Sequence, residues 1–491
     1  MTGEQIVTLS KNEYESLILA KGELEVKVSY LEQQLAELKR LIFGTKSERH
    51  VPSDINQPTL FELPQQEAVE PVTQEITYQR GQKGKKQPIR TELPAHLPRV
   101  TEVIEPENLP VGAKRIDTLI TEVLKYEPSR ISVRQIIRYK YIIEQTDEKT
   151  TFLIAPLPTL PIPKGNADSC LISHVLVSKF VDHLPLHRQI KMFKRQGVTI
   201  AESTMNGWIS NVIPVHLSRL YAQIKNTVLT GSYLMADETP IPVLSKDKPG
   251  SSHKGYLWAY YDPINKLVFF DYRKSRSRTG PEEVLKEYDG YLQTDGYTGY
   301  NGLNNGIIQL ACMAHARRKF EYALENNKEL ASHALGLIRK LYDIERYLRD
   351  NESDFDTRKQ IRQDKALPVL LEFKQWMDDN LMVVAPRSSI GLAIAYTLNL
   401  WPRLIRYIED GRLEIDNNLI ENSIRPIALG RKNYLFAGSH ESAGHIAIMY
   451  SLLGTCKIRG IEPESWLKQA LSIIPDTKDD QLKSLLPGEL I

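Results

Sequence analysis

The chain has 491 residues, of which 41% are hydrophobic and 25% are charged, and its formal net charge is +2. This length predicts several domains with at least one substantial core, and the nearly neutral charge means that nucleic-acid binding must come from local basic patches. Three widely separated cysteines exclude a disulfide framework, and no apolar stretch resembles a signal peptide or a membrane span, which predicts a cytosolic protein without a membrane partner.

Residues 10 to 45 carry a heptad repeat. Its two seam positions are filled by Leu17, Leu24, Leu31 and Leu38 and by Val28, Leu35 and Ile42, with Lys21 as the one polar interruption. Such a seam favours a coiled coil, because it keeps one apolar stripe facing a partner helix. The alternative is an amphipathic helix that folds back on its own chain. We expect a homo-oligomer through this segment.

Residues 46 to 109 contain eight prolines among polar residues with little periodicity. This composition predicts a mostly disordered linker. Within it, five cations follow one another without an intervening acid: Arg80, Lys83, Lys85, Lys86 and Arg90. They could bind DNA phosphates without sequence preference, or the segment could be a solvated tether without a partner, and the sequence favours neither.

Two small regions follow the linker. Residues 110 to 165 are expected to form a strand-rich module, because β-prone residues such as Ile131, Val133, Ile136 and Ile137 precede a proline-rich stretch. Residues 166 to 225 are helical in pattern, with a turn at Gly197 between two helices.

The two helices around Gly197 resemble a helix-turn-helix. Leu186, Ile190 and Phe193 would share a core with Met205, Trp208 and Ile209, so that polar and basic residues remain outside. The predicted DNA-binding residues are Arg188, Lys191, Lys194, Arg195, Ser203, Thr204 and Asn206. An ordinary helical hairpin would give the same pattern.

Residues 230 to 320 alternate strands and turns. The predicted order is strands at Ser232 to Ala236, Gly255 to Tyr261 and Lys266 to Tyr272, a helix near Pro281 to Glu287, and strands at Gly290 to Thr294 and Ile307 to Ala311. This order fits an α/β, ribonuclease H-like catalytic domain in which the first and fourth strands are neighbours.

Asp237 and Asp295 directly follow two of these predicted strands and would emerge side by side at one edge of the sheet. An isolated acid at a strand end is usually a turn former. Two acids at matching positions, with Glu421 on a later helix, can instead converge on a pair of divalent cations that activate a nucleophile in phosphodiester chemistry. Glu238 adjoins Asp237 and should point to the opposite face if the strand continues.

The stretch after the last strand holds Cys312 and His315 at the spacing of half a metal site, but no second pair exists and no zinc is expected. His315, Arg317 and Arg318 are predicted to contact DNA phosphate or a protein carboxylate. Residues 321 to 410 are predicted to form a helical insertion that clamps DNA or packs against a partner subunit.

Glu421 lies near a predicted helix start that Asp416 or Asn418 can cap, and Pro426 is expected to kink or end this helix. The neighbouring cations suit a phosphate backbone: Arg425, Arg431 and Lys432. A charged surface turn is the alternative. Residues 411 to 475 would complete the catalytic core, and residues 476 to 491 would form a C-terminal tail.

Several of these stretches together resemble a known family. They are Ala-Asp-Glu-Thr-Pro around Asp237, Leu-Gln-Thr-Asp-Gly-Tyr-Thr-Gly-Tyr around Asp295, Ala-His-Ala-Arg-Arg-Lys-Phe around His315, and Asp-Asn-Asn-Leu-Ile-Glu-Asn-Ser-Ile-Arg-Pro around Glu421. They look like the large transposase subunit of the insertion sequence 66 family, over most of the chain beyond about residue 157. One departure is that residues 108 to 143 lack the cysteines of the zinc-binding module that many relatives carry.

The resemblance implies an Asp-Asp-Glu transposase that cuts element ends and joins them to target DNA. Asp237, Asp295 and Glu421 would hold two Mg²⁺ ions, for which Mn²⁺ can substitute. The implied partners are terminal inverted repeats, target DNA, a second copy of the chain and small accessory proteins of the same element, in a bacterial cytoplasm and on the nucleoid when bound to DNA. The alternatives are a structure-selective nuclease of the same fold and a domesticated DNA-binding or scaffold protein without catalysis.

Overall fold

The structure, a computed structural model, describes residue 21 and residues 131–137, 139–145, 150–154, 158–163, 165–244, 251–304 and 306–490. The predicted coiled coil, apart from Lys21, and the predicted linker with its five cations lie outside the described residues. Residues 131–135 belong to a separate unit from residues 136–490, and each unit is described by itself.

Seven strands and thirteen helices are present in the described residues. The strands are β1 (Lys140–Gln145), β2 (Thr150–Ile154), β3 (Tyr233–Leu244), β4 (Ser252–Asp262), β5 (Leu267–Arg273), β6 (Gly290–Thr294) and β7 (Ile307–Ala311). The helices are α1 (Ser169–Phe180), α2 (Leu186–Arg195), α3 (Glu202–Val212), α4 (Ser218–Leu229), α5 (Thr279–Val284), α6 (Met313–Ala323), α7 (Lys328–Asp350), α8 (Phe355–Ile361), α9 (Leu367–Leu381), α10 (Ser389–Leu404), α11 (Asn418–Tyr434), α12 (His440–Arg459) and α13 (Pro463–Ile473). Short π-helical turns at Ile213–Leu217 and Arg362–Ala366 join α3 to α4 and α8 to α9, and 3₁₀ turns cover Thr298–Tyr300, Ile405–Ile408, Ile474–Asp476 and Asp479–Leu485.

Five strands form one mixed sheet in the order β5-β4-β3-β6-β7. Strands β3, β4 and β5 pair antiparallel, whereas β6 pairs parallel with both β3 and β7. The predicted contact between the first and fourth strands of this region is confirmed, with Tyr233 opposite Tyr291 and Met235 opposite Gln293.

Strand β3 is longer than the sequence predicted. It was expected to end at Ala236, but it continues to Leu244 and pairs with β4 throughout. Pro240 and Pro242 lie within it, although proline cannot donate to a ladder. The carbonyl of Pro242 accepts from the Ala437 N–H at 2.8 Å, so the backbone polar groups of Pro242 point away from β4. Pro240, two residues earlier, faces the same way, so neither proline removes a hydrogen bond from the ladder between β3 and β4.

The described part of the predicted strand-rich module contains one hairpin, and the β-prone residues Ile131, Val133, Ile136 and Ile137 lie outside it. They are exposed and precede β1, which begins at Lys140 and pairs antiparallel with β2 as a hairpin. Without a paired neighbour, β propensity alone does not form a strand.

Helix α12 covers the edge strand β5. Ser451 and Thr455 are buried, and their hydroxyls accept from the backbone N–H groups of Phe270, at 2.8 Å, and Val268, at 3.4 Å. These contacts satisfy an edge that would otherwise offer free donors to another chain. The predicted C-terminal tail is also packed, since Leu482, Leu485 and Leu486 are buried.

The predicted helical insertion is present as α7 to α10. Three of its helices begin at a side chain that accepts from a free backbone N–H: Asn327 on α7, Asp354 on α8 and Ser388 on α10. Among the helices described here, none combines the length and apolar character needed to cross a membrane.

Candidate active site and nucleic-acid surface

Asp237 and Asp295 occupy equivalent positions on neighbouring strands. The parallel pairing of β3 and β6 ends with Met235 opposite Gln293, and each aspartate lies two residues further along its chain. Asp295 directly follows β6, whereas Asp237 lies within the extended β3, so the expectation of two strand ends is correct only for Asp295. Because side chains alternate along strands, matching register directs these two carboxylates to the same side.

The electrostatic environment brings Glu421 into the same site. Burial, together with the negative charges of Glu238, Asp295 and Glu421, raises the pKa of the Asp237 carboxyl to about 8. The backbone N–H of Glu238 donates to Asp237 Oδ1 at 2.7 Å and opposes part of this shift in the Asp237 pKa. Like charges this close are costly without a cation to neutralise them.

Glu421 lies in the first turn of α11, where two residues predicted to bind DNA approach it. His315 Nε2 is 3.9 Å from Glu421 Oε1, and Arg318 is 3.8 Å from Glu421 Oε2. Burial lowers the pKa of His315, which favours its neutral form. These two residues therefore lie beside a protein carboxylate, one of the two alternatives that their sequence pattern left open.

The start of α11 differs by one residue from the predicted capping position. The cap residue is Asn417, and Asp416 instead accepts from the Asn418 N–H at 3.0 Å and from the Tyr342 hydroxyl at 2.8 Å. The helix also continues through Pro426 to Tyr434, so the proline does not end it.

The donor set suits hard divalent cations, although the acids do not already surround an ion. No three His, Cys, Asp or Glu side chains within the described ranges form a group that could hold a metal. Buried polar atoms without a hydrogen-bond partner in this part of the chain nevertheless flank the start of α11: His315 Nδ1, both side-chain amide atoms of Asn417, and Glu421 Oε1. Oxygen donors and unpaired polar atoms fit Mg²⁺ with its retained waters, after side-chain movement.

Glu238 is a site residue whose partners the sequence did not indicate. Its side chain is 2% exposed, lies 2.5 Å from the Arg276 guanidinium and accepts from the Tyr300 hydroxyl at 3.0 Å. Arg276 also stacks over the Tyr297 ring at 4.0 Å, and the Tyr297 N–H donates to Asp295 Oδ1 at 2.8 Å. This cluster neutralises Glu238 and fixes the loop that follows Asp295.

Helix α10 of the insertion supports the same loop. The Tyr396 hydroxyl donates to the backbone carbonyl of Asp295 at 2.8 Å. Gly296 has φ +92, and a Cβ there would lie 2.8 Å from Leu400. The positive φ favours glycine there, and the insertion packs directly against the loop that follows Asp295.

A buried polar network extends from the insertion to the strands that carry the aspartates. Gln293 on β6 accepts from the Tyr233 hydroxyl on β3 and donates to the Glu414 carbonyl at 2.9 Å. The Glu414 carboxylate accepts from Arg358 on α8 at 2.9 Å, and Arg358 lies 3.8 Å from Glu345 on α7.

Comparison with known proteins agrees with this architecture. The family model described as "Transposase IS66 family" matches residues 164–445, which is more than half of the chain. The chain belongs to the IS66 transposase family. Two further models, "Transposase C of IS166 homeodomain" and "IS66 C-terminal element", match residues 30–101 and 451–487.

Curated relatives extend the IS66 similarity over nearly the whole chain. Uncharacterized protein y4jD of Sinorhizobium fredii is 31% identical over 93% of this chain and 94% of its own length. Uncharacterized protein y4qI of the same organism is 31% identical over 94% of this chain and 89% of its own length. Uncharacterized protein YuaK of Escherichia coli is 37% identical over 20% of this chain.

The helix pair predicted for DNA binding is present in this IS66 chain as α2 and α3. Gly197 between them has φ +81, and Phe193, Met205 and Trp208 are buried, whereas Ile190 is partly buried. Ser203 and Asn206 on α3 are exposed, and Thr204 is half-buried. The four predicted DNA-binding cations of α2 are also exposed: Arg188, Lys191, Lys194 and Arg195.

The remaining predicted DNA contacts have different surroundings. Arg425 and Lys432 on α11 are exposed. Arg317 forms an ion pair with Glu321 at 3.1 Å, one turn further along α6. Arg431 donates to the Pro240 carbonyl, and burial lowers its pKa, so this guanidinium joins α11 to β3. Arg317, Arg425 and Lys432 are therefore the exposed cations of this group, and Arg317 already has a partner on the surface.

Proposed function

We propose that this IS66 chain is a DNA transposase that cuts element ends and transfers them into target DNA in a metal-dependent reaction. The observation that carries the proposal is the matching register of Asp237 and Asp295 on adjacent parallel strands, with the charge of Glu421 acting on Asp237. The strand order β5-β4-β3-β6-β7, with three antiparallel strands followed by two parallel ones, supports a ribonuclease H-like catalytic domain.

Each acid has a defined task in this proposal. Asp237, Asp295 and Glu421 are oxygen ligands for two Mg²⁺ ions, which Mn²⁺ can replace. Ions bound there would activate water, and later a DNA 3′-hydroxyl, and would stabilise the leaving oxygen. Once the charge of Glu421 is neutralised, Arg318 and His315 are free to donate to the scissile phosphate.

The test is cleavage and joining by the purified full chain. A duplex carrying the terminal repeat of the element that encodes this chain should be nicked at the repeat end in Mg²⁺ but not in EDTA. The cut end should then be joined to a second duplex. Cutting without joining would favour a nuclease, and DNA binding without either reaction would favour a non-catalytic protein.

End recognition is proposed for α2 and α3. The full chain with Lys191→Ala and Arg195→Ala should bind terminal-repeat DNA more weakly, because each lost phosphate contact removes about one unit from the salt dependence of log K. Fluorescence anisotropy at several salt concentrations measures this slope. Lys286→Ala, at an exposed position after α5, is the control. If the double variant keeps the slope of the original chain, the helix pair is only structural.

Assembly is proposed for the heptad segment of residues 10 to 45. Paired ends must be cut together, and a dimer joined outside the catalytic core would bring two active sites to two ends. Small accessory proteins of the element would act beside this assembly.

A further inference from the structure

One face of α11 forms an exposed path that starts beside Glu421. Its residues follow the helical spacing of four, three, four and three positions: Asn418, Asn422, Arg425, Leu429 and Lys432, all of them exposed. The helix contains one acid, Glu421, which belongs to the active site. The path therefore offers two amide groups, two cations and the apolar side chain of Leu429, and no acid of α11, to whatever lies along it.

The path ends at a strained turn. Leu435 has φ 64 and ψ −46, and the Phe436 N–H donates to the Tyr434 carbonyl at 2.8 Å. This is a γ-turn of the positive-φ type, which is rare and unfavourable for a residue with a side chain. Such strain persists only where the surrounding structure imposes it.

The surrounding structure holds this turn from both sides. The Leu435 N–H donates to Arg431 O within the helix, at 3.0 Å. Two residues later, Ala437 is buried and exchanges backbone hydrogen bonds with Pro242 and Leu244 of β3, at 2.8 and 2.9 Å.

The turn nevertheless exposes two large apolar side chains. Leu435 is 61% exposed and Phe436 is 43% exposed. A turn that is anchored at both ends, and still presents leucine and phenylalanine to solvent, is preorganised to insert them into a partner.

The composition of the path identifies that partner as duplex DNA. Arg425, Lys432 and the two asparagines suit a phosphate backbone, whereas the centre of a protein interface is depleted of charge. Thirteen residues separate Glu421 from Tyr434, which is about 20 Å of helix, or on the order of six base-pair steps.

We propose that Leu435 and Phe436 form an apolar wedge that enters a base step of the terminal DNA on the order of six base pairs from the scissile phosphate, while the backbone follows α11. The proposal rests on the proposed function. Inserted side chains of this kind unstack a step and bend the duplex. The bend would carry the DNA end towards Asp237, Asp295 and Glu421.

The test uses the full chain and a terminal-repeat duplex carrying a fluorescent adenine analogue, whose emission rises when it unstacks, placed at successive steps. The original chain should raise the emission at one step. Leu435→Gly and Phe436→Ala, separately and together, should remove the rise and lower cleavage by about ten-fold, which corresponds to the mean stacking energy of one base-pair step. A mismatch at that step should restore cleavage by the double variant to within about two-fold, because the step is then already unstacked.

Two controls separate this effect from damage to the fold. Leu435→Gly relieves the positive φ, so its melting temperature should equal or exceed that of the original chain. Leu371→Ala removes a leucine that is also 61% exposed, on α9, and should leave both emission and cleavage unchanged.

Contrary outcomes have distinct meanings. Cleavage by the original chain without an emission rise at any step would overturn the wedge and leave the proposed function intact. A lower mass of Leu435→Gly in light scattering without DNA would assign the turn to an interface between copies, and would also overturn it. If the original chain does not cleave in Mg²⁺, the proposed function fails and the wedge fails with it.

Discussion

Asp237→Asn should abolish metal-dependent cleavage and also stabilise the metal-free chain. The loss of cleavage should exceed about 10³-fold, because the substitution removes a charged oxygen ligand from the proposed two-ion site. The gain in stability follows from the buried position of Asp237 among other acids, which raises the pKa of its carboxyl from 3.8 to about 8. Folding must therefore either desolvate this charge or take up a proton.

The pH dependence of this effect has a defined sign. Between about pH 4 and pH 8, the folded metal-free chain holds a proton on Asp237 that the unfolded chain has lost. Its stability therefore falls as pH rises through this window and levels off above it. The full effect is on the order of 5 kcal/mol. Melting curves from pH 5 to pH 8 should diverge, with Asp237→Asn increasingly the more stable protein.

Three further variants complete this experiment. Asp295→Asn and Glu421→Gln should also abolish cleavage while leaving DNA binding largely intact. Glu287→Gln, at an exposed position after α5, should change neither cleavage nor the pH dependence of melting. Substantial Mg²⁺-dependent cleavage by Asp237→Asn, Asp295→Asn or Glu421→Gln would show that the substituted residue is not part of the proposed site. Parallel melting curves for Asp237→Asn and the original chain would contradict the raised pKa.

The sequence placed the two aspartates well because their signal is local. A β-prone run that ends in an acid predicts where the carboxylate lies along its strand, and the order of elements predicts which strands are neighbours. The end of β3 was misplaced for an equally local reason. The apolar run ends before Asp237, but only the tertiary structure shows that pairing with β4 continues through Pro240 to Leu244.

Contacts between distant parts of the chain could not be predicted in this way. Arg276 is 38 positions from Glu238, and no local pattern shows that this exposed guanidinium pairs with a buried carboxylate. The same limitation applies to Arg431, whose position beside other cations suggested phosphate binding. Its contact with the Pro240 carbonyl depends on how α11 packs against β3. Exposure and partners, which decide the role of a charged residue, are properties of packing and not of spacing.

A second large effect, on stability, is expected from breaking a fully buried ion pair in the helical insertion. Arg362 and Glu345 are both 0% exposed, and the guanidinium donates to the two carboxylate oxygens at 2.8 and 2.7 Å. Arg362→Met should lower the free energy of unfolding of this region by about 3–5 kcal/mol, because Glu345 then remains buried without its main counter-charge. Denaturant unfolding monitored by tryptophan fluorescence measures the loss.

A surface pair between the same helical elements provides the matched control. Lys340 on α7 lies 3.5 Å from Glu372 on α9, and both side chains are more than half exposed. Lys340→Met should change stability by about 0–1 kcal/mol, since solvent screens this pair. Equal effects of Lys340→Met and Arg362→Met would show that burial does not govern the strength of the inner pair.

The double variant Glu345→Met with Arg362→Met separates stability from positioning. Replacing both charges should recover most of the lost stability, because no unpaired charge remains buried. Arg358 would still lose its contact with Glu345, and Arg358 holds the Glu414 carboxylate, whose backbone carbonyl accepts from Gln293. Strand β6, which leads into Asp295, should then be held less firmly, so cleavage should remain reduced in a protein that is again stable. Full recovery of cleavage together with stability would limit the network to folding, whereas recovery of stability alone would make the insertion a support for the catalytic acids.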